Sequence, residues 1–244
     1  MASVQLYKGD CLEVMKSFSD RSVDMVLCDL PYGVTQNESD KPLDLTALWA
    51  QYKRIVKPNG CIALFAQGKF YIELVQSNLQ MFRYDLVWDK ELSTGFLNAK
   101  RMPLRRHEQI AIFYERQPTY HPQFTKGKPL HSKGQRYAEK EPVNRNYGKF
   151  HTMDDGRAGE TQKYPTSILR FPKPHPSVAC HRTEKPVSLL EYLIKTYTNE
   201  GDVVLDNCMG SGSTGVAARN INRNFIGIEL NEEYFEIARK RIGD

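Results

Sequence analysis

Apolar residues recur along this chain at two spacings. Over 44–57 they fall at Leu45, Leu48, Trp49, Tyr52 and Ile55, one stripe of a helical period, which predicts a helix closed by Pro58-Asn59-Gly60. Trp49 lies on that stripe and is expected in the core. The same spacing runs through 187–197, at Leu189, Leu190, Leu193, Ile194 and Tyr197, and through 232–241, at Tyr234, Phe235, Ile237 and Ala238. A further helix is expected over 70–78. Between these lie short apolar runs that predict strands over 3–7, 23–28, 61–65, 85–88, 110–114, 203–205 and 225–228. Strands alternating with helices imply an α/β, doubly wound fold. The stretch 116–165 breaks the pattern: it holds Pro118, Pro122, Pro129, Pro142 and five glycines without a sustained period, and is expected to be an insert. Residues 172–176 read as an extended linker.

Two strand ends carry the chemistry. The run ending at Cys28 is followed by Asp29-Leu30-Pro31-Tyr32-Gly33. A carboxylate, a proline carbonyl and an aromatic face suit the exocyclic amine of a flipped-out base, because the two oxygens accept its N–H bonds and the ring stacks on the base. An Asp-x-Pro after a strand is also an ordinary way to begin a loop. The second segment is Val203-Val204-Leu205-Asp206-Asn207-Cys208-Met209-Gly210-Ser211-Gly212-Ser213-Thr214, an apolar run ending in an acid, then a glycine-rich loop opening a helix. Such glycines admit a ligand close to the backbone, and the helix start can receive a carboxylate. The next run ends in Glu229, placed to hold ribose hydroxyls. Gly210, Gly212 and Gly215 also satisfy a dinucleotide fingerprint. That fold needs a second half after the first, and only 15 residues follow Glu229. The remaining strands must come from the N-terminal side, so the chain reads as circularly permuted.

With both motifs in place, the chain resembles the beta-type DNA amino-methyltransferases, which transfer methyl from S-adenosyl-L-methionine to adenine N6 or cytosine N4. The family order is catalytic motif, recognition insert, cofactor loop, and this sequence keeps it. Tyr7-Lys8-Gly9-Asp10-Cys11-Leu12-Glu13, Arg106-His107-Glu108 and His181-Arg182-Thr183-Glu184-Lys185-Pro186 are further family-like stretches. The resemblance implies one permuted Rossmann-like methyltransferase domain over 1–115 and 166–244, with a basic target-recognition insert at 116–165. It implies that Asp29 and the Pro31 carbonyl accept from the target amine and that Tyr32 stacks on the base. Asp206, Gly210, Gly212, Ser213 and Thr214 would cradle the methionine end of the cofactor, and Glu229 would take the ribose. Asp10 would lie near the adenine, and Thr183, Glu184 and Lys185 near the cofactor carboxylate. Cys11, Asp29, Cys208 and Ser211 complete the expected cofactor contacts. Leu30 stands where the family more often has proline, and Cys208 where it often has phenylalanine. In the family Asp at position 29 accompanies adenine more often than cytosine, so adenine N6 in double-stranded DNA is the expected target and cytosine N4 the alternative.

The chemistry needs little else. The amine is a poor nucleophile while a sulfonium is already an activated electrophile, so orientation is the main task and can supply roughly 7–11 kcal/mol of a barrier. No metal is required, and the six histidines show no ligand spacing. The missing P-loop lysine argues against nucleotide hydrolysis.

Charge adds a partner. The net charge is +5, yet residues 100–185 carry 18 Lys and Arg against 8 Asp and Glu, while the remainder is net acidic. Tyr120, Phe124, Tyr137, Tyr147, Phe150 and Tyr164 interleave with the basic residues, as on a nucleic-acid face, although a solvated surface excursion would also be basic. Asp89 and Lys90 either line the active-site mouth or solvate a loop, and Arg105 and Arg106 either meet phosphates or sit on a surface turn. No apolar run suits a membrane span and no signal peptide is recognised. Five scattered cysteines without a C-x-x-C pair suit a reduced, cytoplasmic protein. Related enzymes often pair, so a homodimer is expected, and any restriction endonuclease would be a separate partner. A catalytically silent nucleic-acid-binding module and an RNA or protein-amide methyltransferase are the rival classes.

Overall fold

The computed structural model describes residues 2–33, 42–129, 159–173 and 184–243. It divides into two compact units, Met1–His121 with Ser167–Asp244, and Pro122–Thr166.

The first unit is an eight-stranded sheet between two layers of helices. Its strands are β1 Val4–Lys8, β2 Val23–Asp29, β3 Val56–Ala66, β4 Phe82–Thr94, β5 Arg105–Phe113, β8 Ile168–Arg170, β9 Val203–Asp206 and β10 Asn224–Glu229, in the order β1-β10-β9-β2-β3-β5-β4-β8. Only β5 runs antiparallel to its neighbours. The N-terminal β1 pairs in parallel with β10, so the two ends of the chain complete one sheet, as the permuted reading requires. The order of strands reverses between β2 and β9, the point at which doubly wound sheets open a ligand crevice beyond their carboxyl ends.

Alternation along the central strands builds a core on each face. Met25 and Leu27 of β2 join Leu189, Leu193, Ala217 and Ile242 of α4 Val187–Tyr197, α5 Ser213–Asn220 and α6 Glu232–Ile242. Val26 and Cys28 face the other way, onto Met15 and residues of α1 Cys11–Val14, α2 Leu45–Ile55 and α3 Gly68–Ser77. Burial on both faces is why these strands are continuously apolar. Trp49 is buried in the second core, with its indole N–H on Ser77 Oγ at 2.7 Å.

One expected boundary is corrected. Pro58-Asn59-Gly60 does not close the helix: α2 ends at Ile55 and the chain is already in β3 from Val56. The three residues form an irregularity inside the strand, where the register jumps from Val23 opposite Val56 to Met25 opposite Cys61. Gly60 is required there, since a Cβ would stand 2.8 Å from the Asp24 carbonyl oxygen.

In the second unit, β6 Thr125–Lys126 and β7 Gln162–Lys163 pair antiparallel, and the Phe124 and Tyr164 rings meet at 4.9 Å. Most of the expected insert, with Tyr137, Tyr147 and Phe150, lies outside the described residues, as do Thr183, His175, His181 and most of the 172–176 linker.

Candidate active site

The carboxyl ends of the parallel strands surround a cavity of about 910 Å³ in the first unit. β2 delivers Asp29, β9 delivers Asp206 and β10 delivers Glu229, while the turn after β1 brings Asp10. β5 runs the other way, so its first residues reach the same edge and place Glu108 in the wall.

Asp29 sits in a relay of charges. Its Oδ2 accepts from Lys185 Nζ, and its Oδ1 accepts from the Tyr32 hydroxyl at 2.6 Å. Lys185 lies 3.5 Å from Glu108 Oε2, and Lys90 donates to Glu108 Oε1 at 3.2 Å. Lys185, Glu108 and Lys90 are largely withdrawn from solvent. Burial alone would push the Lys185 ammonium down, but Asp29 and Glu108 outweigh it and the net shift is upward. Burial likewise opposes ionisation of Glu108, and the two lysines outweigh it, leaving that carboxyl below its ordinary range. The Lys185 ammonium also lies over the Phe65 and Trp88 rings, at 5.0 and 6.0 Å. Tyr32 stacks on Phe70 with centroids 5.0 Å apart, and burial followed by the Asp29 charge raises its hydroxyl, which stays a donor.

The other part of the cavity follows the glycine loop. Glu229 accepts one backbone N–H on each oxygen, from Gly210 at 2.9 Å and Asn231 at 2.8 Å, which leaves lone pairs for further donors. Asp206 is buried and its carboxyl is pushed up to about 6, chiefly by burial, against the Thr214 hydroxyl and the Cys208 N–H. Gly210 has φ +50°, and the place where its Cβ would stand is open space, so the loop offers bare backbone to a ligand. Arg241 reaches back from α6 to Glu184 and bonds Ser211 and Ser213 hydroxyls at 3.2 and 3.1 Å. Asp10 caps α1 by accepting from Leu12 N–H at 2.8 Å, and the Cys11 and Cys208 thiols share the Asn207 amide.

The structure thus brings together on one cavity Asp10, Cys11, Asp29, Pro31, Tyr32, Glu184, Lys185, Asp206, Cys208, Gly210, Ser211, Ser213, Thr214 and Glu229. Gly212 is not in the lining: a Cβ there would stand 2.9 Å from Ala238 Cβ, so this glycine lets α5 approach α6. Lys185 extends to Asp29 and Glu108, which differs from an approach to a ligand carboxylate. Of the residues left open by the sequence, Lys90 is buried on Glu108, whereas Asp89 pairs with Arg106 at 2.7 Å outside the cavity lining. Period two held the missed signal: Lys90 follows the inward Trp88 by two positions, and Glu108 precedes Ile110 and Ile112 by the same step, so both charges must point inward. Asn207 was also missed; it accepts from the buried Tyr52 hydroxyl at 2.5 Å.

The sequence pattern of the DNA methylase family matches residues 23–240. The chain belongs to that family. The type II methyltransferase M.HpaI of Haemophilus parainfluenzae is 28% identical over 98% of this chain and 74% of its own length. The DNA adenine methyltransferase YhdJ of Escherichia coli is 27% identical over 96% of this chain and 81% of its own length. Among solved structures, the SAM complex of M1.HpyAVI superposes with a TM-score of 0.67 at 26% identity, covering 99% of this chain and all of that one. The resemblance drawn from the motifs and the α/β fold expected from their order both hold. No helix among the described residues is long and apolar enough to cross a membrane.

Proposed function

We propose that this DNA methylase transfers methyl from S-adenosyl-L-methionine to N6 of an adenine extruded from double-stranded DNA. The observation that carries the reading is a single cavity with Asp29, Pro31 and Tyr32 in one part and Asp206, the Gly210 loop and Glu229 in another. The chain's own groups fit this cofactor: Glu229 has lone pairs for a diol, Asp206 offers a carboxylate for an ammonium, and Gly210 leaves the backbone uncovered. Bound there, the cofactor supplies an activated methyl group.

The protein's part is to orient the amine. Asp29 Oδ1, now occupied by the Tyr32 hydroxyl, exchanges that donor for one amine N–H, and the Pro31 carbonyl takes the other. Both bonds favour a more tetrahedral nitrogen with its lone pair directed at the methyl. Lys185 keeps the opposite oxygen fixed, so the carboxylate does not rotate as donors change. The base stacks on the Tyr32 face opposite Phe70. Once nitrogen carries the methyl group it is acidic and loses its proton to water or to Asp29. Asp29 and the likeness to an adenine methyltransferase of Escherichia coli support adenine. Among the described residues Cys11, Cys28, Cys61 and Cys208 are free thiols, which suits a reducing cytoplasm. Any restriction endonuclease acting on the same sequence would be a separate partner.

Labelled cofactor incubated with mixed genomic DNA, followed by nucleoside mass analysis, tests this. N6-methyladenine that disappears in Asp29→Ala is expected. N4-methylcytosine overturns the base, and absence of product from wild type overturns the activity.

A further inference from the structure

β4 and β5 continue past the cavity as a hairpin whose outer part, 91–105, exposes large apolar groups. Phe96 and Leu97 are 78% and 82% exposed, with Leu92, Met102 and Leu104 also in solvent. The tip is built to hold them outward. Gly95 enters it at φ +86°, the single 3-10 turn Phe96–Asn98 follows, and N–H bonds from Asn98 to the Gly95 carbonyl and from Arg101 to the Asn98 carbonyl close it at 2.9 and 2.8 Å. Exposed Lys100, Arg101, Arg105 and Arg106 flank the apolar groups, against one acid, Glu91. The stem is part of the cavity. Trp88 and Glu108 stand in its wall, the Arg106–Asp89 pair ties the two arms, and Arg105 bonds Gln67, another wall residue, at 2.9 Å.

Two adjacent, outward apolar side chains contribute nothing to the core and mark a binding surface. We propose that this tip is a wedge for the DNA duplex, with Phe96 and Leu97 entering the base stack beside the extruded nucleotide while Lys100 and Arg101 hold flanking phosphates. The inference rests on the DNA-methylation reading. Extrusion of a base leaves a gap in the stack, and apolar side chains are what fill such gaps. From Asp89 at the stem to Phe96 at the tip is seven residues, at most about 25 Å of extended chain, which keeps the tip within reach of base pairs next to the target. A second copy of this chain is the poorer partner, because a two-fold contact would set the same basic patch against itself.

The test uses the full chain and two duplexes carrying its methylated sequence, read by sequencing the modified sites: one with adenine at the target for the methylation rate, the other with 2-aminopurine there for extrusion. Replacing both Phe96→Ala and Leu97→Ala should cut the extrusion fluorescence and the methylation rate of matched duplex at least tenfold. On a duplex whose target base is mismatched, and so already loosened, the loss should be under threefold, with cofactor affinity and melting temperature unchanged. Wild-type rates on matched duplex, or equal losses on both duplexes, overturn the wedge. So does conversion of a wild-type dimer to monomer with extrusion retained, measured by sedimentation. Wild-type protein that methylates no DNA overturns the function, and the wedge with it.

Discussion

Asp29 is held from both sides, and the two sides do different things. Tyr32 is an exchangeable donor, whereas Lys185 is a buried cation shared with Glu108. Lys185→Met would leave Glu108 and Asp29 facing each other without the charge between them, and removing one partner of a buried pair costs about 3–5 kcal/mol. Glu108 is depressed in the folded protein, so its contribution to stability is present above the ordinary glutamate range and is lost as pH falls through its lower folded value. Urea midpoints should therefore separate Lys185→Met from wild type widely at pH 8, and the gap should narrow as the pH falls below the ordinary glutamate range; a pH-independent gap would mean that packing, not charge, sets the cost. Asp206 has the opposite sign. Its folded value near 6 exceeds the ordinary 3.8, so its favourable contribution is complete below about pH 4 and is lost as pH rises through 6. The two values differ by enough to cost on the order of 3 kcal/mol at neutral pH. Asp206→Asn should raise the melting temperature at pH 7.5 and leave it unchanged at pH 4, while weakening the cofactor at pH 7.5. In wild type, cofactor affinity should fall as pH drops through 6, read by calorimetry.

At the level of elements, two glycines of one loop separate binding from packing. Both Gly210 and Gly212 hold positive φ, but only at Gly212 would a Cβ meet Ala238 and Ile242 of α6. Gly212→Ala should cost roughly 1–3 kcal/mol by overpacking in addition to strain, whereas Gly210→Ala should lower cofactor affinity with a smaller loss of stability. Equal urea midpoints for the two variants would count against this division. The same contrast shows what was legible beforehand. Glycine-x-glycine marked the loop, but which glycine faces the ligand depends on α6, which begins 21 residues after Ser211 and is invisible to a local pattern. The helices over Leu189 to Tyr197 and Leu45 to Ile55 were legible because their apolar stripes face a core. Pro58-Asn59-Gly60 misled because turn chemistry and a strand irregularity use the same residues; the close approach of Gly60 to the Asp24 carbonyl on β2, a tertiary fact, decided it.

For the whole molecule, the order of motifs was enough to foresee the permuted sheet, since β1 and β10 each needed the other as a neighbour. The relay through Lys185 and Glu108 was not foreseen, because it joins β2, β5 and the segment before α4, which only the folded sheet brings together. Long-range charge can be argued from both. The basic excess of 100–185 belongs partly to the wedge hairpin and partly to the second unit, where Lys126, Lys128 and Lys163 accompany the Phe124–Tyr164 pair. If that unit lies along DNA, each lysine releases a counterion on binding. The logarithm of affinity for non-target duplex should then fall steeply with the logarithm of salt, and replacing the three lysines by alanine should reduce the slope by about 2.7, at roughly 0.9 per phosphate contact. Affinity should drop equally for target and non-target sequences, because phosphates carry no sequence information. Cofactor binding, confined to the first unit, should not change. An unaltered slope would assign the basic second unit to solubility, and a loss confined to the target sequence would assign its lysines to base edges instead of phosphates.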